Sequence, residues 1–249
     1  MAAQKKNYTV IIVQARMGST RLPGKSMMEI LDRPMLSYTL ERLKRCKYAD
    51  EIMVATTNHP RDKKIVDFCR SQNTYSFVGS EEDVLDRYYQ AALASGADVI
   101  VRVTGDCPFV DPTLIDSIVD NFNQRYPAYD YASNVMKRTY PRGLDVEVFS
   151  MRCLEQMNRY ARAPEEREHV TLYVHNHPDR FKVMSITQDE DASFHRWTVD
   201  TEDDFKLAKL IIEELYPVKR DFSTKDILLA FEKNPKWIGV NAHIQQKKI

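Results

Sequence analysis

Residues 10–25, VIIVQARMGSTRLPGK, decide the fold. An apolar run from Val10 to Val13 gives way, after Gln14 and Ala15, to a loop holding Arg16, Gly18, Ser19, Thr20, Arg21, Gly24 and Lys25. A buried strand that breaks into a polar, cationic, glycine-containing loop is how an open α/β sheet builds an anion site at its strand ends. Arg16, Arg21 and Lys25 repel one another unless an anion lies between them, and a nucleoside triphosphate meets that need. The backbone N–H groups of Met17, Gly18, Ser19 and Thr20 supply neutral donors. The spacing approaches that of a P-loop, but five residues separate Gly18 from Gly24 where four are required. Pro23 also removes an N–H that a phosphate cradle uses, so a P-loop is set aside.

Outward from this loop, strands and helices alternate as far as residue 126. Tyr8–Ala15 reads as a strand, Pro34–Cys46 as a helix, Glu51–Thr56 as a strand, Arg61–Ser71 as a helix and Tyr75–Val78 as a short strand. Glu81–Ser95 reads as a helix with Val84, Leu85, Tyr88, Ala91 and Ala92 on one face. Asp98–Val103 carries the β-branched run of a strand buried on both sides, and Pro112–Tyr126 is a further helix. Strands separated by helices of this length imply right-handed βαβ units and an α/β, doubly wound, mostly parallel sheet. Beyond residue 127 the pattern loosens. Tyr129–Ser133, Leu144–Phe149, Phe181–Thr187 and Arg196–Val199 read as strands, and Met151–Arg162 and Glu165–His175 as helices. Thr201–Tyr216 and Ser223–Lys233 read as helices capped by Thr201 and Ser223. No repeat or flexible linker divides the halves. One domain over 1–249 is expected, with a nucleotide-binding half at 8–126 and a less regular acceptor-side region at 127–222; the tail QQKKI is expected to fray.

Lys+Arg and Asp+Glu each number 36, so the chain has no net charge and its cations act locally. That argues against a nucleic-acid binder that works by broad attraction. Cys46, Cys69, Cys107 and Cys153 are scattered without a CxxC pair, as in reduced thiols of a cytoplasmic protein rather than a disulfide frame or zinc site. The stretch MAAQKKNYTV holds no apolar h-region and no run nears the ~18 residues of a membrane span, so a soluble intracellular protein is expected.

Three further segments carry candidate chemistry. Thr104-Gly105-Asp106 ends the buried strand, which sets Asp106 beside the cationic loop. A carboxylate aimed at bound phosphate requires a divalent cation between them, and Mg²⁺ held by one or two carboxylates fits. Asp200 ends the HRWTV run, where it is either a helix-start residue beside Thr201 or a second metal ligand. In Pro141-Arg-Gly-Leu-Asp-Val-Glu147, Asp145 and Glu147 share a strand face that is either solvated or hydroxyl-binding, and Arg142 suits an acceptor carboxylate. Ser80, with Asp83 three residues on, reads as a helix cap, and Arg87 either pairs with Asp83 or reaches a ligand. His169, His175 and His177 lack metal-ligand spacing and read as structural or surface residues.

The stretch Gln14–Lys25 resembles the signature loop of the sugar cytidylyltransferases that make CMP-activated acidic sugars, the CMP-3-deoxy-manno-octulosonate and CMP-sialate synthetases. It is most similar to their relatives in spore-coat polysaccharide biosynthesis. Thr104–Pro112, Pro141–Glu147 and Trp197–Phe205 extend the resemblance in order along the chain. The resemblance implies a Rossmann-like nucleotide-diphospho-sugar transferase fold, CTP as donor, an acidic sugar acceptor and release of pyrophosphate. It also implies a homodimer. Arg16, Arg21 and Lys25 then serve the β,γ-phosphates, and Asp106 and Asp200 hold Mg²⁺. Ala15, Met17, Gly18, Ser19, Thr20 and Asp106 bind nucleotide, with Gly79 and Ser80 at the base. Arg142, Asp145 and Glu147 face the acceptor. A nucleotide-sugar-dependent glycosyltransferase is the alternative, disfavoured by Gly-Asp-Cys-Pro where an Asp-x-Asp is usual. A non-catalytic nucleotide-binding partner in a polysaccharide pathway is a third reading.

Overall fold

The computed structural model describes residues 7–246. Strand β1 (Thr9–Gln14) leads through the cationic loop to a small ribbon of β2 (Glu29–Ile30) and β3 (Arg33–Pro34), then to α1 (Met35–Leu43). There follow β4 (Glu51–Thr57), α2 (Lys63–Ser71), β5 (Tyr75–Gly79), α3 (Val84–Ser95), β6 (Val99–Thr104) and α4 (Pro112–Arg125). The second half supplies β7 (Tyr131–Ser133), β8 (Glu147–Ser150), α5 (Met151–Tyr160), α6 (Pro164–Glu168), α7 (Leu172–Asn176) and β9 (Val183–Ser185). Three helices close the chain: α8 (Glu202–Leu215), α9 (Thr224–Lys233) and α10 (Ile238–Asn241).

Seven strands form one sheet in the order β5-β4-β1-β6-β8-β7-β9. All neighbours are parallel except β8, which runs antiparallel to both β6 and β7. The sheet is covered on both faces, which explains why β1 and β6 read as unbroken apolar runs. Val10 and Ile12 of β1 point into a core shared with α3 and α5, while Ile11 and Val13 face α1, α4, α8 and α9. After β1 the chain steps outward to β4 and β5, then returns across β1 to place β6 on its other side. The loops after β1 and β6 therefore diverge over a crevice at the carboxyl ends of the strands, the position where such sheets bind ligands. Gly105 allows this close approach, because a Cβ there would lie 3.0 Å from both the Ala15 Cβ and the Gln14 carbonyl.

The doubly wound, mostly parallel sheet and the Thr201 and Ser223 caps agree with the sequence reading, both caps forming complete capping boxes. Four elements differ. Helix α3 begins at Val84 with Asp83, not Ser80, as its cap. The helix expected over 165–175 breaks at His169–Thr171, where buried Val170 adopts φ +26°. The strand expected over 144–149 starts only at Glu147. Arg196–Val199 is not a strand: it makes one bridge to Arg142, and its N–H groups at Trp197 and Val199 donate to the carbonyls of Arg142 (2.7 Å) and Asp106 (2.8 Å). This segment crosses the ends of the sheet instead of joining it, and period-2 patterning does not distinguish the two. The tail QQKKI lies, from residue 247 on, outside the described residues.

The crossing depends on Gly143, whose φ is +101° and whose Cβ position would lie 2.5 Å from the Thr198 nitrogen. Gly143→Ala is expected to cost about 2–3 kcal/mol through the combined strain and backbone clash. A urea midpoint equal to wild type would refute this role.

Candidate active site

The loop after β1 is pinched shut by the Gly24 N–H, which donates to the Met17 carbonyl at 2.9 Å, with Gly24 at φ +75°. Leu22 is buried and anchors the loop to the core. The next residue after the pinch, Lys25, is thereby carried under the loop and into the crevice. Its Nζ donates to Asp106 Oδ2 at 2.6 Å, to Asp200 Oδ1 at 2.8 Å and to the Val199 carbonyl at 2.8 Å. Asp106 arrives from the end of β6 and Asp200 from the residues before α8. Burial works against the Lys25 charge, but the two carboxylates outweigh it and hold its pKa above the ordinary lysine value. Burial likewise opposes ionisation of Asp106, yet Lys25 and the Thr104 and Cys107 hydrogen bonds keep its pKa below the usual carboxylate range. Asp200 is held further by Arg21 at 3.0 Å and, through Oδ2, by Arg196 at 2.9 Å.

A cleft of about 260 Å³ opens over this cluster. Ala15, Arg16, Ser19, Thr20, Arg21, Lys25, Asp106 and Asp200, all singled out from the sequence, line it. Arg16 has no ion-pair partner among the described residues. Beside it Arg87 is 2 % exposed, and burial together with the Arg16 charge lowers its pKa. Its Nε is buried without a hydrogen-bond partner among the described residues. The cleft gathers more positive than negative side chains, a balance that suits an anion.

Several expected residues are held in other ways or lie elsewhere. Lys25, read as a phosphate ligand, is bonded to the two carboxylates. The Met17 N–H, read as an anion donor, goes to Asp62 Oδ1 at 2.8 Å, and Gly18 packs against the Arg61–Glu81 ion pair. Neither residue lines the cleft. Gly79 and Ser80 also stand outside it: the Gly79 carbonyl accepts from the Asn58 N–H at 2.9 Å, and Ser80 uses its carbonyl to hold Arg87. Arg87 is what this segment brings to the cleft, while Asp83 pairs with Arg167.

A second cavity of about 330 Å³ joins the first at Arg102, Thr104 and His169. Arg142, Asp145 and Glu147 all line it, but not as one strand face. Asp145 precedes β8 and is forked by Arg138 at 2.6 and 3.0 Å. Glu147 is 3 % exposed and accepts from Arg102, from the Tyr131 hydroxyl at 2.5 Å and from the Thr171 hydroxyl at 2.6 Å. Arg142 makes no salt bridge among the described residues. His169 and His175, read as structural or surface residues, both line this cavity, and His169 lines the first as well. Arg87, read as pairing with Asp83 or reaching a ligand, lines the cleft; Arg102 and Glu168 had no local sequence signal, because only the return of α6 and of the sheet ends brings them there.

No three His, Cys, Asp or Glu side chains gather into a metal site among the described residues. The fitting feature is the Asp106–Asp200 pair, whose oxygens converge on one point that the Lys25 ammonium marks. Two hard carboxylate oxygens beside a phosphate-sized cleft suit Mg²⁺, which takes few protein ligands and completes its shell with phosphate and water.

Fold and site together define a nucleotide-binding α/β transferase. Residues 10–224 match the cytidylyltransferase family, and the chain belongs to it, as a CTP-dependent nucleotidyltransferase. It is 32 % identical over 236 residues to the spore coat polysaccharide biosynthesis protein SpsF of Bacillus subtilis, covering 92 % of this chain and 96 % of that protein. A cytidylyltransferase structure from Leptospira borgpetersenii superposes with a TM-score of 0.89 at 35 % identity, covering 98 % of this chain and 99 % of the other. A CMP:2-keto-3-deoxy-manno-octonic acid synthetase complexed with CTP shares the fold, with a TM-score of 0.65 at 20 % identity over 84 % of this chain and all of that one (100 %). The glycosyltransferase and non-catalytic alternatives give way to this assignment. No described helix is long and apolar enough to cross a membrane.

The buried Glu147 network has a pH consequence. Burial alone would raise the Glu147 pKa, but Arg102, Thr171 and Tyr131 hold it below the usual glutamate value. Its stabilisation is therefore complete above the unfolded pKa of about 4.3 and is lost as pH falls below it. Glu147→Gln is expected to lower stability at pH 7 and to flatten its decline between pH 5 and 3, as measured by urea unfolding. A decline as steep as that of wild type would refute this.

Proposed function

We propose that this enzyme transfers CMP from CTP to an acidic, sugar-like acceptor and releases pyrophosphate. The observation that carries the reading is the joining of a cationic cleft to a second cavity presenting the unpaired Arg142 guanidinium. CTP as the triphosphate follows from the family, and the acidic acceptor is supported by the likeness to the octonic acid synthetase and by Arg142, whose planar fork suits a carboxylate.

In this reading Arg16 and Arg21, with Arg87, cradle the triphosphate, and the loop residues Ser19 and Thr20 add hydroxyl and N–H donors. Gly79 and Ser80 border the base. The acceptor hydroxyl, at the junction of the cavities, attacks the α-phosphorus in line with the departing pyrophosphate. One O–P bond forms as another breaks, and the hydroxyl proton is released. Asp106 and Asp200 would hold Mg²⁺, which when bound supplies charge neutralisation at the α-phosphate and acidifies the attacking hydroxyl. The protein's own work is positioning and charge, since phosphoryl-type transfer needs little covalent participation. Lys25 keeps both carboxylates aimed at one point and adds charge beneath the phosphates. Residues 8–126 form the nucleotide half and 127–222 the acceptor side, with the latter also the surface for a homodimer. The four cysteines carry no disulfide, which suits work in the cytoplasm.

Pyrophosphate release from each of the four nucleoside triphosphates, against a panel of acidic and neutral sugars, tests the reading. Turnover is expected with CTP, an acid sugar and Mg²⁺, and is expected to vanish in excess EDTA; turnover confined to neutral sugars would refute the acceptor class. Lys25→Ala is expected to remain folded and to lose about 100-fold or more in kcat, the scale for removing one preorganised charge. Undiminished pyrophosphate release by that variant would refute the site.

A further inference from the structure

The acceptor cavity has one wall that lies outside residues 10–224. Helix α10 and the residues after it return across the acceptor side, and Gln246 lines the cavity beside Arg138, Arg142 and Asp145. The docking of this segment is specific. Asn241 is 4 % exposed, and its amide donates to the Arg196 carbonyl at 2.9 Å and to Asp204 Oδ1 at 2.8 Å. Arg196 then donates through Nη1 to Gln246 Oε1 at 2.6 Å. A guanidinium has only donors, so it fixes which end of the Gln246 amide faces it. The oxygen turns to Arg196, and the NH₂ group remains for the cavity. The cavity's carboxylates are already satisfied, Asp145 by Arg138 and Glu147 by Arg102, Tyr131 and Thr171. What the wall still offers is therefore donor character, from Arg142 and Gln246. The same two residues also line a third cavity of about 190 Å³, walled by Phe194, Phe231 and Ile244. They stand as the partition between a polar and an aromatic compartment.

We propose that Gln246 is an acceptor-contacting, specificity-determining residue, its amide NH₂ completing with Arg142 a donor wall for the acceptor's carboxylate. This rests on the acidic-acceptor reading and extends it to a part of the chain beyond the family match. Arg196, which orients Gln246 and also holds Asp200, is a positioning residue in the same arrangement.

Two substitutions test it. Gln246→Glu preserves length and the oxygen toward Arg196 but replaces the donor with a negative charge; Gln246→Ala removes both contacts. The probes are 3-deoxy-manno-octulosonate and N-acetylneuraminate, followed by pyrophosphate release at saturating CTP. The acceptor KM is expected to rise about tenfold in Gln246→Ala, the scale of one hydrogen bond to a charged group, and further in Gln246→Glu. The KM for CTP and kcat are expected to stay within about twofold of wild type, the pattern of a lost ground-state contact. An acceptor KM unchanged in both variants overturns the proposal. So does a parallel rise in the KM for CTP, which would make the segment merely structural. Wild type that turns over neutral sugars and no acid overturns the acidic-acceptor reading; wild type that turns over an acid, with both variants matching it, overturns the Gln246 assignment alone.

Discussion

One ammonium group organises the carboxyl edge of this sheet. Lys25 Nζ reaches residues 81 and 175 positions away in the chain, Asp106 and Asp200, and the Val199 carbonyl between them in space. It thus joins the loop after β1, the loop after β6 and the approach to α8. All three of its donors are used, so its position is set by geometry and not by charge alone. Two carboxylates brought to one partly buried point repel strongly without a cation, and removing the cation from such a cluster is far more damaging than never having built it. The sharp turn at Gly24 and the close approach at Gly105 are what make the three segments meet there.

The rest of the cleft inherits its character from this cluster. Lys25 is engaged by Asp106 and Asp200, and Arg21 and Arg196 are also directed to Asp200, so these cations are committed to the site's carboxylates. Arg16 and Arg87 are then left facing the cleft, Arg87 buried, with an Nε that no described group satisfies. A desolvated guanidinium beside a second one is unfavourable until an anion arrives. Repulsion between Arg16 and Arg87 is a cost that an anion placed between them would relieve. The cleft also shows how a chain with 36 cations and 36 anions carries a strongly polar site without net charge.

The sequence made the parallel sheet legible because β1 and β6 are buried on both faces and read as continuous apolar runs. It made the edge residues legible because a loop following such a strand has only one place to go. Arg16, Arg21, Lys25 and Asp106 meet in the cleft for that reason, and Asp200 joins them from the segment that crosses the sheet ends. Illegible were contacts set by partners distant in sequence. Nothing near Met17 shows that Asp62 will take its N–H, and nothing near Ser80 shows that its carbonyl will hold Arg87. Arg196–Val199 has the alternation of a strand, but Gly143 and the Asp106 carbonyl recruit it as a crossing segment. His169 carries no motif; it reaches both cavities only because the helix expected over 165–175 breaks at Val170, whose φ of +26° is a tertiary constraint no local preference favours.

What the second cavity can recognise follows from which polar groups remain available after folding. Carboxylates that line a cavity suggest hydroxyl recognition only if they are free to accept. Asp145 and Glu147 are not: the fork of Arg138 and the three donors around Glu147 use their lone pairs before any ligand is present. What these ion pairs do instead is fix the cavity's shape and leave Arg142 without a competing carboxylate. Arg196 extends the same logic, since it is bonded to Asp200, Asp204 and Gln246 at once and so ties the wall of the second cavity to a carboxylate of the cleft. One rigid planar guanidinium thereby fixes the end of the chain and a carboxylate at the sheet edge in a single geometry.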